Sequence, residues 1–456
     1  RLSESVDWKV GENVLITPTD YDPTELETRR IVSVSSDGMD LTLSSPLFYD
    51  HFGQLPDQNF GVDERAEVAL LSRNISIMGD EYSESDRKGG VIRVEGSGTV
   101  NLIGVQMVRM GDTTSVTPAI EFEGSSPSSV IQSTLSSYEG AVLLRYTSEK
   151  VISDNVFYGA VDYSVWLDYS SNNVLTGNLV TNIVGAGTAE TDAIGISVKD
   201  IRNIVSENRV SGCIGLGYSI ASDGFIYEPD GHQSGFSRNR ARSIGLHCFH
   251  FERYRPKQTV IFDQLMASKC SAYGILSDDG LHRFINAAIS SSWAGVRFEK
   301  EGQELIDSTI LAVTNNAPNS APKSNQVTPF VMSQPRRGVH LIEGPHHFSG
   351  ITFVGFNQGK SACFAPYGNR IVSRSTTLEN ISCNNGQNMF YVNDIDAEAT
   401  NSERFFASQW LQNTTDGRTV TMINKSTFMK LSPQICPHTI SPYSLDCDQD
   451  LYTEIT

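Results

Sequence analysis

An eight-residue phrase returns along this chain every 21 to 32 residues, and it constrains the fold more than any other feature. Each copy combines apolar or β-branched residues with Asn, Ser, Asp, Gly or Arg. A repeat of this length is a unit that cannot bury its own apolar face and must stack on copies of itself. The copies are SVIQSTLS from Ser129, KVISDNVF from Lys150, NVLTGNLV from Asn173, NIVSENRV from Asn203, GFSRNRAR from Gly235, TVIFDQLM from Thr259, RFINAAIS from Arg283 and ELIDSTIL from Glu304.

A second phrase lies between these copies and alternates with a period of two. In AIEFE from Ala119, the apolar residues Ile120 and Phe122 fall on one face, and AVLLR from Ala141 repeats the pattern. This alternation is typical of a β-strand with one buried face. Each repeat therefore holds two strands, and its remaining residues suggest a third. The sequence predicts an all-β fold, a right-handed parallel β-helix, rather than leucine-rich repeats, whose L-x-x-L-x-L frame is missing.

The repeats divide the chain into three parts. Residues 1–89 contain strand-like segments and predict an N-terminal β cap, because a solenoid must cover its first coil or leave an open edge. Residues 90–387 contain the coils, with a proline-rich excursion at 315–337 that cannot pair inside a sheet. Residues 388–456 lose the repeat and predict a C-terminal β segment over the last coil. Roughly ten coils, about 4.8 Å apart, would give a rod about 50 Å long.

The charge of the chain limits its partners. Asp and Glu number 53 against 35 Lys and Arg, a formal net charge of −18. This charge disfavours nucleic acid and also acidic polysaccharides, so we expect other extracellular proteins, copies of this chain or neutral glycans. No apolar run approaches the roughly 20 residues of a membrane span, which predicts no membrane insertion by this segment. Because the first residue is Arg1, we expect a processed or partial chain.

The cysteines and the glycosylation sequons give weaker signals. Seven cysteines without a C-x-x-C pair define no disulfide framework. Cys436 and Cys447 are the leading candidates for a bridge in an oxidising compartment, and small buried thiols are the alternative. Four Asn-x-Ser/Thr sequons allow N-glycosylation, although their number is near chance. They are Asn74, Asn380, Asn413 and Asn424.

A group of charged residues is the leading candidate site. Glu121 and Glu123 flank the inward Phe122, and the stacking of coils places Arg145 and Asp168 near the same outer row. Carboxylates beside an arginine can carry out acid/base chemistry, hold a hard cation such as calcium, or form an exposed ion-pair ladder. We expect the ladder and keep the other two as alternatives.

Two further groups have a structural and a functional interpretation. On a strand, Cys248, His250 and Glu252 share one face, as metal ligands would, but they also fit an outer row over buried phenylalanines. Asp278 and Asp279 lie at a coil corner, where paired aspartates bind calcium or attack glycosidic bonds, yet Asp-Gly is also ordinary turn chemistry. We favour the structural interpretation of both groups and assign no metal.

Most of the chain resembles a known family, and the resemblance is most specific in the N-terminal part. VDWKVGENVLITPTDYDPTELETRRIVSVSSDG, LTLSSPLFYDHFG and ERAEVALLSRNISIMGDE are similar to the segment that leads into the parallel β-helix of fibrocystin, fibrocystin-like and cell-surface hyaluronidase-like proteins. NRARSIGLHCFHFERYRP continues the resemblance into the coils. It places residues 1–89 at the end of the family's glycine-rich β domain. It also implies an extracellular or cell-surface setting within a longer chain.

The resemblance bears on the candidate site as well. Relatives with proposed hyaluronan-degrading activity carry a histidine pair, H-F-H, where this chain has Glu121-Phe122-Glu123. A further family histidine falls at Arg145, and an acidic D-G-x-E phrase falls near Asp168. Because both imidazoles are replaced by carboxylates, the family's mechanism does not transfer. We therefore expect a non-catalytic structural, adhesive or assembly module, with a glycan-cleaving enzyme that uses these carboxylates as the alternative.

Overall fold

The computed structural model describes residues 1–54, 62–185, 193–221, 232–252, 256, 258–312, 337–341, 346–356, 362–366, 376–383, 410–413, 419–424, 438–441 and 444–448. Regular structure in these residues is almost entirely β-strand, apart from one short α-helix, Ser83–Asp86. Strands from successive repeats pair in parallel and form three long sheets, which we number I, II and III. The predicted parallel β-helix is therefore confirmed, with a third strand in each coil.

The three sheets contain one strand each from most coils, in order from the N-terminal end of the solenoid. Sheet I consists of Asn101–Ile103, Ser128–Ile131, Lys150–Ser153, Val174–Thr176, Ile204–Ser206, His232–Ser237, Val260–Asp263, His282–Ile285, Glu304–Ile306, His347–Ser349, Thr376–Glu379 and Trp410–Asn413, followed by the antiparallel strands Thr419–Asn424, Ser444–Asp448 and His438–Ser441. Sheet II consists of Ile75–Met78, Val105–Met110, Thr134–Ser137, Val156–Tyr158, Leu179–Ile183, Arg209–Cys213, Arg240–Ile244, Met266–Cys270, Ala288–Ser290, Thr309–Leu311, Thr352–Val354 and Ser382–Cys383. Sheet III consists of Ile92–Glu95, Ile120–Glu123, Val142–Arg145, Tyr163–Asp168, Ile194–Val198, Leu216–Ala221, Phe249–Glu252, Tyr273–Ser277, Ala294–Phe298, Arg337–Leu341 and Ala362–Pro366.

Each eight-residue phrase folds as a strand of sheet I, a tight corner and a strand of sheet II. One residue at each corner has a positive φ, between 46° and 68°. This left-handed conformation is easiest for Gly and is tolerated by Asn and Asp. These three residue types occupy four of the eight corners, while Gln, Glu or Arg occupies the other four. The corner residues are Gln132, Asp154, Gly177, Glu207, Arg238, Gln264, Asn286 and Asp307.

A ladder of buried asparagines follows four of these corners. Asn155, Asn178, Asn208 and Asn239 are at most 1% exposed. The backbone N–H and the side-chain amide of each of the first three donate to Oδ1 of the next asparagine, at 2.9–3.2 Å. A buried amide is costly unless its hydrogen bonds are made. The ladder therefore fixes the register between coils.

The interior of the solenoid is one continuous apolar column. The inward row of sheet III includes Phe122, Leu144 and Leu167, which are at most 1% exposed. Further along, Phe251 and Phe262 pack from sheets III and I with ring centroids 4.7 Å apart. Burial of apolar area contributes about 25 cal/mol per Å², so each coil is stabilised mainly by the coils on either side of it.

The N-terminal residues form a separate antiparallel sheet that lies along sheet II. Its strand order is Leu41–Leu43, Glu27–Val34, Asn13–Ile16 and Val68–Leu70. The apolar side chains that this sheet shares with sheet II are Leu15, Ala69, Leu71, Val156 and Leu179.

Polar contacts extend this docking along much of the solenoid. Thr134 Oγ1 donates to the Leu71 carbonyl oxygen at 2.9 Å, and Tyr21 Oη donates to the Ser291 carbonyl oxygen at 2.5 Å. Arg242, with its side chain 5% exposed, pairs with Glu67 and donates to Thr17 Oγ1 at 2.9 Å. These contacts reach from the third strand of sheet II to just beyond the end of its ninth strand.

The described contacts of this sheet are with sheet II, and the cap over the first coil stays a prediction. Among the described residues, those that flank or form the first coil keep exposed apolar side chains: Ile75 and Met78 are each 58% exposed and Ile103 is 57% exposed. The N-terminal sheet lies along sheet II because its apolar and ion-pairing partners are on the outer face of that sheet. The parallel pairing also begins at Ile75–Met78, inside the range 1–89.

The remaining predicted parts are described only in places. The proline-rich excursion lies outside the described residues except for Arg337, which begins a strand of sheet III. In the range 388–456, four strands are described, and three of them extend sheet I in antiparallel fashion. No helix in the described part of the chain has the length and hydropathy to cross a membrane.

Candidate functional site

The parallel register of sheet III brings the predicted charged residues together on its outer face. Glu95, Glu123, Arg145 and Asp168 are successive partners in one row. Glu121 lies two residues before Glu123 on the same strand, and its side chain reaches the neighbouring coils. The inward packing of the alternate residues holds these side chains outside the core.

Glu121 is at the centre of the charged group. Its carboxylate lies 2.7 Å from Arg93 Nη2 and 3.4 Å from Arg145 Nη1, and the side chain is only 5% exposed. A carboxylate buried to this degree requires a cation and hydrogen bonds to compensate its lost hydration. The two guanidinium groups supply both.

Arg145 connects the row to the next coils. Its guanidinium lies 3.6 Å from Glu123 Oε1 and 3.6 Å from Asp168 Oδ2. Lys199 Nζ lies 3.1 Å from Asp168 Oδ1. Every carboxylate of the predicted set therefore faces a cationic group, and the arrangement is an ion-pair ladder in its geometry.

Two exposed tyrosines beside this ladder were missed by sequence analysis. Tyr146 and Tyr169 each follow the last residue of a sheet III strand, and their rings stack with centroids 5.6 Å apart and planes 10° apart. Lys199 Nζ lies 4.9 Å from the centre of the Tyr169 ring and 5.1 Å from that of Trp166. The signal was present in the sequence, because both tyrosines occupy the same position of adjacent repeats.

A second carboxyl group was also missed. Glu139 lies at the corner before sheet III, is 2% exposed, and has Oε1 without a hydrogen-bond partner among the described residues. Burial raises its pKa to about 7, and the neighbouring Asp162 carboxylate adds to the shift. A carboxyl group that titrates near neutrality is chemically able to act as an acid. Its burial keeps it away from solvent.

The structure does not support a metal-ligand set made of Cys248, His250 and Glu252. Cys248 is 0% exposed and forms a disulfide with Cys270, so its sulfur is not available as a thiolate ligand. His250 Nε2 instead lies 3.1 Å from Asp278 Oδ2. No cluster of three or more potential metal ligands occurs in the described ranges.

A second disulfide joins Cys363 and Cys383. Like Cys248–Cys270, it connects neighbouring coils, with separations of 22 and 20 residues along the chain. Neither pairing was predicted. The side chains of the predicted pair, Cys436 and Cys447, lie outside the described residues.

The structure also shows whether Cys213 and the sequon asparagines are buried or exposed. Cys213 is a free buried thiol, and burial raises its pKa to about 12. Asn74 and Asn380 are exposed, as a glycan acceptor must be, whereas the side chains of Asn413 and Asn424 lie outside the described part.

Comparison with known proteins gives three findings. The family model described as periplasmic copper-binding protein (NosD) matches residues 70–227. Fibrocystin-L of Mus musculus is 44% identical over 92 residues, which are 19% of this chain and 2% of fibrocystin-L. Fibrocystin of Mus musculus is 28% identical over 232 residues, which are 49% of this chain and 6% of fibrocystin. The chain is similar to fibrocystin and fibrocystin-L over these stretches. The predicted resemblance is thus confirmed over the aligned stretches.

The fibrocystin relatives are much longer than the segment they share with this chain, as the shares of 2% and 6% show. Among solved structures, the tailspike protein gp49 of Pseudomonas phage LKA1 matches with a TM-score of 0.30 and 9% identity, over 84% of this chain and 60% of that one.

Proposed function

We propose that this β-helix is a non-catalytic module of an extracellular or cell-surface protein, where it serves as a rigid spacing and adhesive element. The observation that carries the proposal is the state of the candidate catalytic carboxylates. Glu121 is held between Arg93 and Arg145, and Asp168 between Arg145 and Lys199. A general base or nucleophile must be free to reach the substrate, and these groups are engaged with cations.

Rigidity is supported by the way in which the coils are joined. The apolar column is continuous, and the asparagine ladder connects four successive coils by buried hydrogen bonds. The N-terminal sheet braces the outer face of sheet II. A spacer needs this resistance to bending between coils.

Two observations support an extracellular setting. The disulfides Cys248–Cys270 and Cys363–Cys383 would persist in an oxidising compartment and would be reduced in the cytosol. The second observation is the similarity to fibrocystin-L over 92 residues of this chain. The partners that fit this setting are other surface proteins, copies of the chain or neutral glycans.

The test is an incubation of the purified protein with hyaluronan and with neutral polysaccharides, in the presence and absence of calcium. Product size is followed by size-exclusion chromatography. We expect no shortening of any polymer. Shortening that disappears in Glu121→Gln or Glu123→Gln would overturn the proposal, and an Asp278→Asn variant serves as the control for the second predicted acidic group.

Glycan cleavage remains the second candidate function, because Glu139 has the pKa of a general acid at neutral pH. Its 2% exposure argues against contact with a polysaccharide. If the incubation does shorten a polymer, a Glu139→Gln variant separates the two sources of activity. Loss of cleavage in that variant alone would place the catalytic acid at the corner rather than in the ladder.

A further inference from the structure

The stacked tyrosines belong to a column of equivalent corner positions. The residues that follow the aligned row of sheet III are Gly96, Gly124, Tyr146 and Tyr169. Their φ angles are 58°, 121°, 51° and 47°. All four positions therefore have left-handed backbone, which glycine adopts freely and which a bulky side chain adopts at a cost of about 1–2 kcal/mol.

Burial in the core does not offset this cost for the tyrosines. Tyr146 is 68% exposed and Tyr169 is 45% exposed, whereas two neighbouring coils use glycine at the same position. Exposed aromatic groups that fold stability does not explain are typical of binding surfaces. The pair is therefore best explained by what it contacts outside the chain.

The column is closed at one end and open at the other. Lys199 Nζ covers the Tyr169 ring at 4.9 Å, and the Tyr169 ring stacks on that of Tyr146. The next position beyond Tyr146 is Gly124, which has no side chain. Beyond it, a Cβ added to Gly96 would meet no atom within 4 Å. A Cβ added to Gly124 would lie 2.3 Å from the Gly96 carbonyl oxygen, so these two glycines lie in close backbone contact and place no side chain over the Tyr146 ring, which is 68% exposed. We call this uncovered side of the ring the slot.

The floor of this slot is held in place from inside the coil. The buried Lys150 donates from Nζ to the carbonyl oxygens of Gly124 at 2.8 Å, Ser126 at 2.6 Å and Ser148 at 2.9 Å. Its side chain fixes the corner before any ligand arrives. Preorganisation of this kind lowers the entropic cost of binding.

The rim of the slot offers both hydrogen-bond donors and acceptors. Glu123 is 43% exposed and Arg145 is 41% exposed, and they lie 3.6 Å apart as an ion pair. One coil earlier, Glu95 and Arg93 repeat the arrangement at 3.7 Å. Hydroxyl groups can donate to the carboxylates and accept from the guanidinium groups. Glu121 adds a third carboxylate to these two guanidinium groups, so the rim has no excess of positive charge and offers little attraction to an anion.

We infer that the slot between Tyr146 and the Gly96–Gly124 backbone binds a pyranose ring of a neutral glycan, whose C–H face stacks on Tyr146 and whose hydroxyls contact Glu123 and Arg145. The inference rests on the proposed adhesive function and names the ligand class and the site. A pyranose has a flat C–H face that fits the Tyr146 ring and a hydroxyl edge that fits the hydrogen-bonding rim.

The test is isothermal titration calorimetry with four neutral hexasaccharides: cellohexaose, laminarihexaose, mannohexaose and maltohexaose. We expect at least one to bind, and Tyr146→Gly to weaken its affinity at least tenfold. Glycine suits the φ of 51°, so this variant should unfold at the same or a higher temperature than the parent protein. Tyr146→Phe should bind within about threefold of the parent, because the ring face is retained.

The matched control is Tyr82→Ala, since Tyr82 is exposed to a similar degree, 66%, but lies outside the column. Its affinity should equal that of the parent. The inference is overturned if none of the four sugars binds, if Tyr146→Gly binds as well as the parent, or if a hyaluronan hexasaccharide or tetramethylammonium binds this slot more tightly than every neutral sugar. None of these results bears on the absence of depolymerisation, which tests the proposed function separately.

Discussion

The outer faces of sheet II and sheet III each carry an arginine–glutamate ion pair, but the two pairs have different roles. On sheet II, Arg242 and Glu67 form an ion pair whose side chains are 5% and 16% exposed, beneath the N-terminal sheet. On sheet III, Arg145 and Glu123 form an ion pair whose side chains are 41% and 43% exposed. One pair joins two parts of the chain, and the other faces solvent.

The exposure of each pair indicates which charges hold the fold and which remain available for ligands. Removal of one partner from a buried pair leaves an uncompensated charge and is strongly destabilising. An exposed pair contributes little to stability because water and salt screen it. The exposed pair on sheet III, Arg145 and Glu123, can therefore vary or serve binding without loss of the solenoid.

The largest effect should come from Arg242→Ala. The variant leaves Glu67 without its guanidinium and removes the hydrogen bond to Thr17. We expect a loss of about 3–5 kcal/mol in the free energy that docks the N-terminal sheet. The backbone amides of the strand Asn13–Ile16 should then exchange hydrogen faster than in the parent protein, while those of the coils keep their protection.

A double variant tests the cause of this effect directly. In Arg242→Met with Glu67→Leu both charges disappear, so most of the protection of Asn13–Ile16 should return. If the single variant exchanges like the parent protein, the pair on sheet II is no more important than an exposed pair, and the distinction between the two faces fails.

The solenoid could be predicted from sequence because its signals are local. The copies of the repeated phrase mark a corner and its two strands, and the period-two phrase marks the strands of sheet III. The same stacking logic brought Glu121, Glu123, Arg145 and Asp168 to one face. Register in a solenoid follows the repeat, so residues at the same position of each copy become neighbours.

Contacts between distant parts of the chain could not be predicted in this way. Arg242 and Glu67 are 175 residues apart, and no repeat relates them. Docking of the N-terminal sheet along sheet II therefore depends on matching surfaces rather than on periodicity. The prediction of a cap over the first coil used a general rule about solenoid ends, and that rule does not say which outer face the N-terminal sheet contacts.

The metal-ligand interpretation of Cys248 failed for a related reason. Strand alternation would place Cys248 on the outer face with His250, but the strand begins at Phe249, one residue later. At the corner before a strand, the alternation no longer holds. The separation of 22 residues from Cys270 equals about one repeat and was the signal for a bond between coils.

The next largest effect concerns Glu139, which is buried beside the Asp162 carboxylate. Its pKa is raised from 4.5 to about 7, so the folded state holds a proton that the unfolded state releases. Its contribution to stability is present below pH 4.5 and is lost as the pH rises through about 7. Glu139→Gln should therefore stabilise the protein at pH 8 by about 3 kcal/mol and change little at pH 4.5.

Thermal unfolding at these two pH values measures the effect, with Glu123→Gln as the control on an exposed carboxylate. The substitution Glu139→Gln could change the unfolding temperature, relative to the parent, by the same amount at both pH values. That result would show that folding does not raise the pKa of Glu139, which would then be ionised in the fold. In that case the corner would resemble the exposed face of sheet III rather than the buried face of sheet II.

The smallest effect should come from Arg145→Ala. Arg145 contacts three carboxylates, but its side chain is 41% exposed and Glu121 keeps its contact with Arg93. We expect a change of less than about 1 kcal/mol in unfolding free energy, shrinking further as salt is added. Urea unfolding at low and high salt gives the measurement. A loss as large as that of Arg242→Ala would mean that the ladder on sheet III supports the coils, and its residues would then be constrained by the fold rather than free for recognition.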